Sequence, residues 1–111
     1  MTHYSQVSDA VFARIAAGAR QIEPRLHDAS HRAIKPGDLI LFQARGSKQE
    51  VLAKVVGLLR FDSFVELFHA YPPSRFGAES ERELLSEMQR TYTPQQESDH
   101  GVLGVKLHLL K

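Results

Sequence analysis

Gly18-Ala19-Arg20-Gln21-Ile22-Glu23-Pro24-Arg25-Leu26 and, further on, Pro36-Gly37-Asp38-Leu39-Ile40-Leu41-Phe42 decide how this chain reads. Three long charged side chains, Arg20, Glu23 and Arg25, fall in a segment too short and too Pro-broken for a helix. Pro24 lacks an N–H and disfavours helix for Glu23 before it, so a short extended segment is predicted from Arg20 to Arg25. Alternate residues of an extended segment share a face, which puts Glu23 beside Arg25. Arg20 sits at the turn after Gly18, free to swing to either face. Asp38 to Ala44 is a near-continuous apolar strand. Charges that close together beside such a strand read as a site rather than as a solvated face.

Outward from that stretch, the chain divides cleanly. Ser8 caps a helix with Asp9 in its first turn, an apolar stripe of Val11, Phe12, Ile15 and Ala16, and Gly18 as the stop. Residues 27–35 read as a mobile, basic loop, and Gly46-Ser47 as a turn. Val51 to Phe61 is a second strand with Gly57 as a bulge, forming a hairpin with 38–44. Asp62-Ser63 caps a helix carrying Phe64, Leu67 and Phe68, which Pro72-Pro73 ends. Ser80 opens a helix over 81–92 that buries Leu84, Leu85 and Met88. Residues 95–100 read as a polar loop. The last strand, 101–109, points Val105, Leu107 and Leu109 one way and Lys106 and His108 the other. The order is helix, strand, hairpin, two helices, strand, which is an α+β pattern. So few strands bury their apolar faces best by curling, with Gly57 and Gly104 easing the bends. A small, partly open β-barrel with helices packed on its outside is predicted.

The 111 residues make one domain, 1–111. There is no cysteine, which excludes disulfides, thiolate metal sites and a cysteine nucleophile. Met1 to Gln6 shows no signal-peptide pattern and no apolar run approaches a membrane span, so a soluble, cytoplasmic protein without a membrane partner is expected. Net charge is +1, but residues 1–60 hold nine Lys/Arg against five Asp/Glu and residues 61–111 five against eight. Such polarity presents a basic face to an anion if the two halves map onto two faces.

With those residues placed, the chain resembles the ASCH family. Gly18-x-Arg20-x-Ile22-Glu23-x-Arg25-Leu26 matches the family's Gly, basic, Glu and Arg spacing, and Ile34-Lys35-Pro36-Gly37-Asp38 its Gly-Asp strand. Val55-Val56-Gly57, Phe61-Asp62-Ser63-Phe64-x-Glu66-Leu67, Tyr92 and Gly101 to Val105 follow in order. The resemblance implies a PUA-like barrel whose cleft is lined by the basic-x-x-Glu-x-Arg segment and whose role is RNA binding, in RNA metabolism or translation. Some members are ribonucleases, and one subgroup is an amidohydrolase on N4-acetylcytidine that uses a Lys and a Thr here and a Glu further on. Arg20 stands at the Lys position and Glu23 at the Thr position, and no carboxylate falls clearly at the third place, near Phe76-Gly77. An arginine stays protonated and cannot act as a base.

The expected ligand is RNA, a nucleotide or a nucleoside, held by Arg20, Glu23 and Arg25 with no cofactor and no metal. Arg20 and Arg25 would hold phosphate or base edges, with Arg32 and Lys35 reaching phosphates from the loop. A plain Glu23–Arg25 ion pair is the competing reading. Ser63 opens a helix N-terminus that suits an anion, although an N-cap is its simpler role. His27-Asp28-x-x-His31 has metal-like content but lies on a loop without a third ligand. An enzymatic alternative makes the chain a metal-independent hydrolase, with Glu23 as general base and Arg20 as electrostatic stabiliser. A third reading is a protein-interaction module built on the acidic helix 81–92.

Overall fold

The computed structural model describes residues 1–110. Five strands form one curled sheet, a half-barrel, in the order β1-β3-β4-β5-β2. These are β1 (Thr2–Val7), β2 (Ile22–Leu26), β3 (Leu39–Ala44), β4 (Glu50–Phe61) and β5 (Val102–Leu109). The helices are α1 (Asp9–Ala16), α2 (Phe64–Ala70), α3 (Glu81–Thr91) and α4 (Pro94–His100), with a single 3₁₀ turn at Pro73–Arg75. The α+β half-barrel with external helices is the architecture the sequence predicts.

Local sequence explains most of it. The Ser8, Ser63 and Ser80 side chains accept from Val11, Glu66 and Glu83 N–H groups and open α1, α2 and α3. The β3–β4 hairpin forms as predicted, and the register of β4 against β5 shifts between Val55 and Gly57, the predicted bulge. Two elements differ from expectation. Residues 95–100, read as a loop, are helical, because Thr93 and Gln96 form a capping box and Pro94 stands at the first turn. Thr2–Val7, to which the sequence assigns no element, is an edge strand parallel to β3. Of its three inward side chains, His3 and Ser5 are polar and only Val7 is apolar, so it lacks the apolar alternation that marks a strand. Ala16 and Leu85, both predicted to be buried, are exposed and half-buried.

Two cores divide the labour. Phe12 and Ile15 of α1 close the concave side of the sheet over Ile40, Phe42, Val55, Leu103 and Val105. On the other side of β2 and β5, Ile22, Leu26 and Val102 meet Phe64, Leu67 and Phe68 of α2 and Leu84 and Met88 of α3. Gly104 makes that second contact close. A Cβ there would lie 3.1 Å from Leu67 Cδ1 and 3.2 Å from Ile22 Cγ2.

Candidate functional site

Every residue of β2 is buried, so its two faces have different destinations. Ile22 and Leu26 join the helix-side core. Glu23 and Arg25 face the other way, paired in register with Val105 and Leu103 of the concave core. They close the mouth of the half-barrel where the sheet's two edges, β1 and β2, approach. Arg25 Nη2 donates across that seam to Ser5 Oγ at 2.7 Å, and its guanidinium lies 5.7 Å from the Phe42 ring centroid. Its Nη2 is 3.6 Å from Glu23 Oε2. Glu23 and Arg25 therefore share a face and an ion pair, as alternation requires.

Arg20 lies beneath them with a fully buried side chain. Its Nε donates to Phe76 O at 2.8 Å, Nη1 to Glu23 Oε1 and Glu87 Oε2 at 2.9 Å each, and Nη2 to Glu87 Oε1 at 2.7 Å. Four bonds occupy a guanidinium that owns five N–H donors. Burial works to depress its pKa, but the Glu87 and Glu23 carboxylates outweigh that and hold it above the ordinary arginine value. Glu87, which the sequence does not single out, brings a second carboxylate to this segment. It flanks the buried Leu84 and Met88 on α3, a position that was the available signal. Glu83 and Glu87 also hold Arg14 of α1, at 2.9 and 3.3 Å. The acidic half of the chain thus neutralises part of the basic half, and the predicted face-to-face polarity is partly spent inside the fold.

Above this network opens a cleft of about 350 Å³. Glu23, Arg25, His31, Arg45, Arg90 and Tyr92 are among its lining residues. Arg45 and Arg90 are exposed on opposite rims, from the β3–β4 turn and the end of α3. His31 Nδ1 is 2.9 Å from both Leu26 O and Asp28 Oδ1, two acceptors, which places its ring proton on Nδ1 in the neutral form. Burial, and then the Arg25 charge, hold its pKa below the ordinary histidine value. Tyr92 stacks on Phe64 at 5.8 Å and borders the cleft from the helix side.

The remaining predicted residues stand apart from this cleft. Ser63 caps α2, and the adjacent Phe64 N–H is taken by Glu97 Oε2 at 2.7 Å, so that helix end already holds a carboxylate. Arg32 Nε donates to His27 O, and Lys35 is exposed. The 27–35 loop, read as mobile, is tied by Asp28 to His31 N–H and Ser30 Oγ and anchored by buried Ile34. Asp38 accepts from Lys35 N–H as a turn residue should, and also contacts His3 and the N-terminal amine.

No family model and no curated protein matches the chain. Solved structures do. The hypothetical protein PH0355 superposes with a TM-score of 0.86 at 28% identity, over 99% of this chain and 100% of that one. The solution structure of PF0455 from Pyrococcus furiosus gives 0.80 at 26% identity, over 100% and 99%. ASCH from Zymomonas mobilis gives 0.60 at 14% identity, over 96% of this chain and 66% of that one. The fold is ASCH-like.

Proposed function

We propose that the chain binds RNA, or a nucleotide-like piece of it, in the cleft at the β1–β2 seam. The observation that carries this reading is the combination of a roofless 350 Å³ cleft with Arg25 on its floor and Arg45 and Arg90 on its rims. The resemblance of the Gly18 to Leu26 segment to the ASCH family, together with the ASCH-like fold, supports an RNA-related role. Arg25 donates to a phosphate or a base edge, and Arg45 and Arg90 meet flanking phosphates. Glu23 Oε1 is taken by Arg20, while its Oε2 stands 3.6 Å from Arg25 and accepts from a base amino group. Arg20 does not reach the ligand in this reading. It is a positioning residue that fixes Glu23 from below.

The hydrolase reading gives Glu23 the work of a general base. That role requires its oxygen to meet a substrate proton, and Oε2 is the Glu23 oxygen that takes no hydrogen bond among the described residues. The experiment is titration of short single-stranded RNAs against the chain, with mass spectrometry of the recovered RNA and of N4-acetylcytidine. Salt-sensitive binding without product is the expected result. Product that disappears in Glu23→Gln would establish the hydrolase instead.

A further inference from the structure

A second cleft of about 350 Å³ lies where β2 begins, away from the seam. Its walls are the turn after α1 at Gly18, the 3₁₀ turn at Arg75, and the last residues of β5. β2 pairs with β5 only as far as Lys106, and Leu107 N–H donates to Gln21 O as the last bond between them. Leu107 to Leu109 then run on along an uncovered sheet edge. Arg75, Lys106 and His108 line the cleft, and no carboxylate does among the described residues. The contrast with the seam is chemical, because there Glu23 and Glu87 offset much of the positive charge.

Two details show that these cations are held in place. Arg75 lies with its guanidinium carbon 5.5 Å from the Tyr71 ring centroid. Its Nε is the one buried side-chain nitrogen or oxygen among the described residues without a hydrogen-bond partner. Buried donors are almost always satisfied, and this one leaves the Arg75 guanidinium without a protein partner at that nitrogen. Lys106 is set by the bulge. Gly57 stands opposite it, and a Cβ at Gly57 would come within 3.1 Å of Lys106 Cδ, so the missing side chain is what lets the lysine stem lie across β4.

We propose that this cleft is a phosphate-binding site, separate from the seam, in which Arg75 and Lys106 hold the phosphate of a nucleotide or of an RNA backbone. A phosphate offers several charged acceptor oxygens in one compact group, which suits a planar guanidinium on one side and an ammonium on the other. Arg20 borders this cleft as well, but its charge is committed to Glu23 and Glu87, so the proposal rests on Arg75 and Lys106 and not on the seam reading.

The test is a ¹H–¹⁵N NMR titration of the full chain with pyrophosphate, uridine 5′-monophosphate and hexauridylate. The Gly18, Gln21 and Leu109 amides should shift saturably. Arg75→Gln and Lys106→Met should each weaken that response about tenfold, the loss of one charge-assisted contact. Both changes leave the backbone bonds of Arg75 and the stem of Lys106 in place, and circular dichroism checks the fold. Arg25→Met should leave these shifts intact while altering those at the seam. Response to the small anions assigns a nucleotide phosphate, and response to hexauridylate alone assigns a backbone phosphate; either supports the site. No saturable shift with any of the three probes, or shifts that persist in the Arg75→Gln, Lys106→Met double variant, would overturn it.

Discussion

Replacing Arg20 by methionine tests whether that residue builds the site or serves as its ligand contact. Arg20 is the hub of four hydrogen bonds that reach β2, α3 and the turn at Phe76. Methionine fills much of the same volume but strands the Phe76 carbonyl and removes the countercharge from Glu23 and Glu87. Their side chains are only 7% and 15% exposed. Removing one partner of a buried ion pair costs about 3–5 kcal/mol, because the remaining charge stays buried and unpaired. Arg25 and Arg14 partly compensate the two carboxylates, which places the expectation near the lower end, about 3 kcal/mol. A domain of this size has roughly 5–15 kcal/mol in total, so the variant should remain folded but unfold at a much lower urea concentration. The Arg20→Met, Glu87→Met double variant should be less destabilised than the two single losses combined, by about 1–3 kcal/mol of coupling. Urea unfolding followed by circular dichroism reads both quantities. A loss under about 1 kcal/mol for Arg20→Met, or additivity of the pair, would refute the claim that Arg20 is structural.

Three further outcomes are expected. Gly104→Ala should cost about 1–3 kcal/mol in the same unfolding assay, because the new methyl meets Leu67, Ile22 and Leu59 at 3.1, 3.2 and 3.4 Å. His31 has a lowered pKa in the fold, so the unfolded chain takes up its proton first as pH falls. Stability should therefore decline as pH drops below the ordinary histidine value of about 6.5, and His31→Gln should remove that part of the slope. Asp38 titrates at about 2 in the fold, with the His3 hydrogen bond as the chief cause. Its contribution is present above the ordinary aspartate value of about 3.9 and should be lost as pH falls toward 2; Asp38→Asn should flatten the acid limb of a pH–stability curve.

The sequence revealed the framework because its signals are local. Ser-capped helices, the Gly46 hairpin and the Gly57 bulge need only neighbouring residues, and each falls where expected. β1 was invisible because two of its three inward positions, His3 and Ser5, serve polar contacts to Asp38 and Arg25, leaving Val7 alone in the core. α4 was missed because it has no apolar stripe, although Thr93-Pro94-x-Gln96 carried a capping signature. The candidate site was half legible. Alternation along β2 put Glu23 and Arg25 together, but Arg20's direction depends on Glu87, far away in sequence on α3. Arg45 and Arg90 reach the cleft only through the curl of the sheet, and nothing in their neighbourhoods marks them.

RNA binding at the β1–β2 seam, as proposed, depends on Arg25. Fluorescence anisotropy of a labelled single-stranded RNA should be measured across a range of salt concentrations, for the unaltered chain and for Arg25→Met. Salt-sensitive binding is expected, and for the variant a weaker affinity with a logarithmic salt slope flatter by about one. No binding by the unaltered chain, or the same affinity and slope in both proteins, would contradict it.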